Sequence, residues 1–253
     1  MFHFCACSFG KDSIATILLA LHHNEPLDEV VFTEVMFDNK RGISGESPEH
    51  IHWVKTHAVP LLEAMGVKVL IIPTEVDYID SFNRIIRRSK DPSRIGKKRA
   101  FPIANRCAIL RDCKLRTMQK YIRSLGTDCV QYVGLAADEI ERLTRKQFRL
   151  KGNRISLLEK YGYTEKMAYD LCRRYNLLSP CYDTAMRNGC WFCPNRRLKD
   201  IAQFKQAHPE LWNELLKLNQ DQNKVSECFS YNQTLLEIDK KINWINRQTK
   251  LFL

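Results

Sequence analysis

Phe2-His3-Phe4-Cys5-Ala6-Cys7-Ser8-Phe9-Gly10-Lys11-Asp12-Ser13 passes from strand to loop to helix within twelve residues. The first six form a short apolar run with the character of a buried strand, and Ser8-Phe9-Gly10 is a loop signal. From Asp12 to His22 the apolar residues Ile14, Ile17, Leu18 and Leu21 recur at helical spacing, and Asn24-Glu25-Pro26 stops the helix. A glycine between a strand and a helix lets backbone approach an anion closely. The helix N-terminus adds unpaired N–H groups and the positive end of its dipole. Ser8 and Ser13 contribute hydroxyls, Lys11 a charge, and Gly10 and Asp12 complete the loop. The G-x-x-x-x-G-K-[ST] spacing is absent, so this is not a Walker A loop.

Outward from this loop, strand and helix alternate. Residues 30–37 read as a buried strand, rich in β-branched and aromatic side chains. Pro48 opens a helix that runs to Met65 and Gly66. Residues 67–72 form a third strand closed by Pro73, helical pattern resumes at Tyr78-Ile79 and over 108–125, and residues 129–134 form a fourth strand. Helices of this length between strands imply right-handed crossovers and a mainly parallel sheet covered on both faces. Ligands of such sheets bind beyond the carboxyl ends of the strands, which here gathers the loops after Cys7, Phe37 and Gly134 around one crevice. The expected organisation is an α/β domain over residues 1–155 and a helical, cysteine-rich region over 156–253, without a further clear strand.

The chain has 253 residues, 40 Lys+Arg against 29 Asp+Glu, a net charge of +11, 44% hydrophobic residues and 10 cysteines. That excludes collagen, coiled-coil and disordered-tail classes. No apolar run approaches the ~20 residues of a membrane span, and the start of the chain lacks the pattern of a secretory leader. A cytoplasmic protein with reduced cysteines is expected. The charge suits a polyanion, either a nucleic acid or a highly phosphorylated small molecule.

Ser-Phe-Gly-Lys-Asp-Ser at 8–13 resembles the S-G-G-K-D-S pyrophosphate loop of the adenine-nucleotide alpha-hydrolase superfamily, with Phe9 in place of the first glycine. That group includes the N-type ATP pyrophosphatases and the phosphoadenosine phosphosulfate (PAPS) reductases. Thr33-Glu34 with Ser47-Pro48-Glu49 resembles the T-D-T-G…P-E-T segment of the PAPS reductases, Glu34 replacing the aspartate. Arg106-Cys107 through Arg111-Asp112-Cys113-Lys114 resembles their cysteine-and-lysine segment. Gly134-Leu135-Ala136-Ala137-Asp138-Glu139 with Arg142 resembles G-x-R-A-D-E-S-x-R, Ala136 replacing the arginine. The resemblance implies a Rossmann-like fold of a phage-type member, with an adenine nucleotide, PAPS/APS or ATP, at the strand ends. It implies Ser8, Gly10, Lys11, Asp12, Ser13, Glu34, Gly134, Asp138 and Glu139 as nucleotide-binding residues, Asp138 and Glu139 with Mg²⁺ where ATP is bound. Lys11, Arg111, Lys114 and Arg142 would neutralise charge in catalysis.

Cys190-Trp191-Phe192-Cys193-Pro194 is a Cys-x-x-Cys motif whose thiolates can grip one metal or one cluster corner. Cys107, Cys113, Cys172 and Cys181 are available partners, and spacing alone suits zinc and iron–sulfur equally. The resemblance implies a 4Fe-4S cluster on Cys107, Cys172, Cys190 and Cys193, with Cys113 and Cys181 in reserve and zinc as the alternative. Glu227-Cys228 resembles part of the E-C-G-L-H tail that carries the reductase nucleophile, but glycine, leucine and histidine are missing. Cys228 is therefore expected to be a buried or incidental thiol.

Residues 84–99 hold eight basic side chains and one acid, and a second basic group follows at Arg142, Arg145, Lys146, Arg149, Lys151 and Arg154. Such runs are commonly solvated faces; at a crevice rim they would also hold a nucleic acid. The histidines converge on nothing, and Trp212 in His208-Pro209-Glu210-Leu211-Trp212 is expected in the core. Three functions follow. The first is sulfonucleotide reduction or adenylation-linked sulfur transfer, with a sulfur donor or thiol reductant protein as partner. The second is thiolation of tRNA or DNA, and the third is a non-catalytic nucleotide-binding or partner-binding module.

Overall fold

A computed structural model describes residues 1–102, 107–145, 153–182 and 189–251. Its centre is a parallel sheet of five strands: β1 (Phe2–Ala6), β2 (Glu29–Glu34), β5 (Val69–Pro73), β6 (Cys129–Tyr132) and β7 (Arg154–Ile155). The spatial order β5-β2-β1-β6-β7 is that of a doubly wound, Rossmann-like α/β fold. β1 pairs with β2 through Cys5 and Val30 and with β6 through Cys5 and Tyr132. The direction of winding therefore reverses between β1 and β6, and the crevice beyond their carboxyl ends is the topological switch point.

Helix α1 (Lys11–His22) covers one face of the sheet, with Ile14, Ile17 and Leu18 packed among Phe9, Phe32, Val54, Leu158 and Leu177. The other face buries Phe4 and Val31 under Met118, Tyr121 and Ile122 of α5 (Arg116–Ser124). A second apolar cluster joins Phe37, Tyr78, Trp191, Phe192 and Phe204 with Trp212, which is buried as its position in the sequence suggests. Helices α7 (Leu157–Lys160) and α8 (Glu165–Arg174) belong to the sheet's own cluster through Leu157, Leu158, Ala168 and Cys172. Helices α9 (Leu198–Ala207), α10 (Pro209–Asn219) and α11 (Leu235–Leu251) belong to the second region.

The structure departs from the sequence reading at three places. The strand expected over 30–37 leaves the sheet at Glu34, which pairs with Pro73, a residue with no N–H to continue the ladder. Met36–Asp38 (β3) then forms a separate antiparallel pair with Ile43–Ser44 (β4). β7 is an unexpected fifth strand, too short for a period-two pattern. In the region expected to be purely helical, Cys228–Ser230 (β8) and Gln233–Thr234 (β9) form a hairpin whose turn is set by Asn232 at φ +52°. Both long helices contain a wider π-turn. The first runs α2 (Pro48–Trp53), Val54–Ala58, α3 (Val59–Ala64); the second has Leu110–Leu115 leading into α5. Between β5 and that second turn lies α4 (Tyr78–Asn83), and α6 (Ile140–Leu143) follows β6. Among the described residues no helix is long and apolar enough to cross a membrane.

Gly134 sets how closely the loop after β6 approaches α1. A Cβ there would stand 2.6 Å from the Ser13 nitrogen and 2.7 Å from the Asp12 carbonyl carbon, both backbone atoms that cannot swing away. Gly134→Ala should therefore lower stability by about 1–3 kcal/mol, the usual cost of overpacking. A lower urea midpoint with an unchanged slope is the expected readout, and an unchanged midpoint would contradict this close approach.

Candidate nucleotide cleft and thiol group

The loop from β1 to α1 is fixed by its own side chains. Ser13 Oγ accepts the Ser8 N–H (3.3 Å) and donates to the Gly10 carbonyl (2.9 Å), which also accepts the Ile14 N–H. Phe9 adopts a left-handed φ of +54°, a conformation that suits the glycine of the resembled motif. The strain of roughly 1–2 kcal/mol is offset because the ring is fully buried edge-on against Phe32, which contributes about 2–3 kcal/mol. His50, to which the sequence reading gave no role, supports the loop from below. Its Nε2–H donates to the Ser8 carbonyl (3.1 Å), and Nδ1 lies 2.9 Å from Ser179 Oγ. Burial lowers its pKa, so it stays neutral in this position.

The loop's donors have partners within the protein. The Lys11 N–H donates to the Tyr182 hydroxyl (2.9 Å), while Lys11 Nζ pairs with Asp12 (2.8 Å) and Glu165 (3.5 Å). Burial raises the pKa of Asp12, Lys11 opposes that rise, and Glu165 and Glu139 add to it, so three carboxylates share this corner. Asp138 accepts the Glu165 N–H and holds the start of α8, and Arg142 pairs with Glu139. Glu34, buried at the end of β2, pairs with Lys55 (2.9 Å) beside a separate cavity lined by Pro48 and His52.

A cleft of about 180 Å³ opens where the strands end, lined by Ala6, Cys7, Ser8, Thr33, Gln131 and, from the π-turn, Leu110, Lys114 and Leu115. This is smaller than the ~300–1,000 Å³ of pockets that enclose whole ligands, and it suits a nucleobase with its phosphates outside. Thr33 is buried and its hydroxyl has no partner among the described residues. An orphaned hydroxyl costs about 1–3 kcal/mol unless a ligand satisfies it.

Lys114 lies between this cleft and a group of thiols. Its Nζ pairs with the buried Glu46 (3.1 Å). Burial opposes its charge, but Glu46 and the Cys190 and Cys107 thiols outweigh that effect and raise its pKa. The Cys-x-x-Cys turn is tied to the end of β4: the Trp191 N–H donates to the Gly45 carbonyl (3.0 Å) and the indole N–H to the Ser44 carbonyl (2.9 Å). A Cβ on Gly45 would meet the Phe192 ring at 2.8 Å, so only glycine permits this contact. Phe192 in turn packs on Tyr78 with ring centroids 4.1 Å apart. The Tyr78 hydroxyl is buried without a partner among the described residues, and Cys107, Cys190 and Cys193 all act on it electrostatically. Burial, then Glu46, raises the Cys190 thiol pKa far above the usual range, while Lys114 opposes the rise.

The expected cysteine ligands therefore divide. Cys107, Cys190 and Cys193 come together around Tyr78, but Cys172 donates its S–H to the Lys11 carbonyl (3.1 Å) under α1 and is pushed up to about 12 by burial. It behaves as a small core residue there. Of the reserves, Cys113 is buried beside Asp112 at about 12, and Cys181 is buried next to Ser179. Cys228, expected to be buried or incidental, is exposed on β8. Among the described residues no three His, Cys, Asp or Glu side chains stand in ligating geometry. The chemistry of the donor set still fits a sulfur-loving group, because three thiols act on a buried hydroxyl that has no partner among the described residues. Arg111 is directed to Asp112 (2.8 Å) rather than to the cleft. Arg106, Lys146, Arg149 and Lys151 lie outside the described residues. The sequence reading missed Glu46, Tyr78, His50, Glu165 and Tyr182; of these only Glu46, a charge between Gly45 and Ser47-Pro48, carried any local signal.

The geometry defines a class: a doubly wound α/β protein with a strand–loop–helix turn at its switch point. No protein-family model matches the chain, and no curated protein matches it. Among solved structures, the U34-tRNA thiolase NcsA from Methanococcus maripaludis, with its 4Fe-4S cluster, is similar at a TM-score of 0.44 and 16% identity. The match covers 95% of this chain and 80% of that one. A likeness at this level carries no statement about what this chain does.

Burial holds Cys5, Cys113 and Cys172 in the unreactive thiol form. Alkylation of the native protein with iodoacetamide near neutral pH should modify exposed Cys228 first and these three last, as read by peptide mass spectrometry. Rapid modification of Cys172 would contradict its contact with α1.

Proposed function

We propose that this chain is a nucleotide-dependent sulfurtransferase of the ATP-pyrophosphatase type, with a nucleic acid as acceptor. The observation that carries the reading is Lys114, which lines the strand-end cleft and is coupled to Cys190 and Cys107 behind it. Nucleotide chemistry and sulfur chemistry thus share one cation. The adenine would occupy the cleft against Thr33, and the phosphates would turn toward Gly10–Ser13, taking over the Lys11 N–H from Tyr182. Asp12 and Glu139 would hold the Mg²⁺ that accompanies ATP.

In this reading an acceptor oxygen attacks the α-phosphorus, and pyrophosphate leaves with the α–β bridging oxygen. Sulfide from the donor then attacks the activated carbon, the C–O bond to phosphate breaks, and AMP leaves with that oxygen. Lys114 would offset negative charge on the α-phosphate, as a preorganised cation does in group transfer. Cys107, Cys190 and Cys193 would hold a 4Fe-4S cluster, or zinc in its place, near the partnerless Tyr78 hydroxyl on which they act. A bound cluster supplies an iron-held site for the incoming sulfur. The basic run at 84–99 supports a polyanionic acceptor. Sulfonucleotide reduction is less well supported, since its nucleophile would be Cys228, held in a hairpin strand and followed by a helix running to Leu251 rather than on a free tail.

Thr33→Val and Lys114→Ala test this directly. Thr33→Val removes an orphaned hydroxyl and should leave stability unchanged or higher while weakening ATP binding several-fold. Lys114→Ala should weaken ATP binding about tenfold or more, equivalent to one charge-assisted hydrogen bond. Calorimetry gives the affinities, and release of pyrophosphate and AMP with a sulfide donor and RNA or DNA gives the activity. Sulfite release from PAPS, or nucleotide binding with no turnover, would overturn the sulfurtransferase reading.

A further inference from the structure

Residues 84–99 form a strap that folds back on itself. The Ile86 N–H donates to the Lys97 carbonyl (2.9 Å), the Gly96 N–H to the Ile86 carbonyl (3.0 Å) and the Arg99 N–H to the Arg84 carbonyl (2.9 Å). Its far end is tied to the C-terminal region, since the Lys98 N–H donates to the Asn223 carbonyl (2.8 Å) and the Lys98 carbonyl accepts the Val225 N–H (3.0 Å). Between this strap and the π-turn Leu110–Leu115 lies a cavity of about 300 Å³ whose polar lining is Arg88, Ser89, Arg94, Arg99 and Arg111; among the described residues no acidic side chain lines it.

The cations are arranged in two tiers. Behind the cavity, the carboxylate of Asp112 is fully buried and pairs with Arg99 (2.6 Å), Arg111 (2.8 Å), Arg84 (3.3 Å) and Arg116 (3.5 Å). One negative charge thus meets four guanidinium groups and fixes Arg99 and Arg111 in place, while leaving the group strongly positive. In front, the side chains of Arg88 and Arg94 make no ion pair or hydrogen bond with the described residues; Arg94 meets only the through-space field of exposed Asp91. Exposed Arg87, Lys90 and Lys97 extend the positive surface along the strap. Guanidinium forks in a preformed pocket match the oxygens of a phosphate in two-pronged geometry.

Resting on the sulfurtransferase reading above, we propose that this arginine pocket is a phosphodiester subsite that grips the backbone of a single-stranded nucleic acid next to the nucleotide cleft. Two observations favour a polymer over a lone anion. The positive surface continues past the pocket, so one phosphate does not saturate it. The same π-turn lines both cavities, with Arg111 at the pocket and Leu110, Lys114 and Leu115 at the cleft. Arg111 at the pocket and Lys114 at the cleft are three residues apart on this one helical segment, so a strand held in the pocket is anchored on the element that carries Lys114.

Arg88→Ala/Arg94→Ala is the informative variant, because neither side chain supports the fold. Fluorescence anisotropy with mixed-sequence single-stranded RNA and DNA should show at least a tenfold loss of affinity. The slope of log K against log salt should become shallower by about 1.4, or ~0.7 for each lost phosphate contact. A charge-matched control on α11, Lys240→Ala/Lys241→Ala, should change affinity less than threefold. ATP affinity should be unaltered in the arginine variant. Equal losses in variant and control would overturn the subsite, as would a parallel loss of ATP binding, which would assign the pocket to the nucleotide's own phosphates. Loss of both RNA and DNA supports backbone recognition, and loss of RNA alone supports the same pocket with a contact to the 2′-hydroxyl. Pocket-dependent strand binding without ATP turnover supports the subsite and removes the sulfurtransferase reading. Turnover on a small acceptor with no strand binding removes the subsite alone.

Discussion

The backbone approach between Gly134 and the first turn of α1 holds the candidate site together. β1 and β6 are neighbours, so the loops that follow them leave the sheet side by side, and only a residue without Cβ lets one rest on Ser13 and Asp12 of the other. With that contact made, Ser13 organises Ser8 and Gly10, and His50 secures Ser8 from the second strand's side of the crevice. The first turn of α1 is thus set at the switch point, with its Lys11 N–H held by the Tyr182 hydroxyl. Such preorganisation is what lets weak backbone donors bind an anion well.

The π-turn Leu110–Leu115 couples that crevice to everything else of interest. Lys114 and Leu115 face the cleft, Cys113 is packed in the aromatic cluster with Tyr78 and Phe192, and Arg111 and Asp112 belong to the arginine group. A regular α-helix repeats its faces every 3.6 residues, and a wider turn redistributes them. A single turn therefore carries residues to three separate environments. The chemistry proposed for the chain depends on that sharing, since the cation at the nucleotide is also the cation at the thiols.

Much of the fold was legible because its signals are local. The apolar run, the Ser8–Gly10 loop and the periodicity of Ile14, Ile17 and Leu18 lie within one segment, and the parallel α/β class follows from their repetition. The misses are long-range. Nothing near Tyr78 marks its hydroxyl as orphaned beside thiols from distant segments, Cys190 and Cys193 among them, and Asp112 shows its role only when Arg84 and Arg99 fold back onto it. β7 is two residues long and is recognised only by pairing with β6. Cys172 looked like a ligand because cysteine serves equally as a thiolate and as a small apolar side chain. Only its position under α1 distinguishes the two.

The central claim is that adenine binds in the strand-end cleft. The most direct test is photolabelling with an azido-adenine ATP analogue, followed by peptide mapping. Label is expected between Leu110 and Met118, on the π-turn and the first turn of α5, or at Thr33 or Gln131, and excess ATP should compete it away. Label confined to other peptides, or label that excess ATP does not displace, would contradict it.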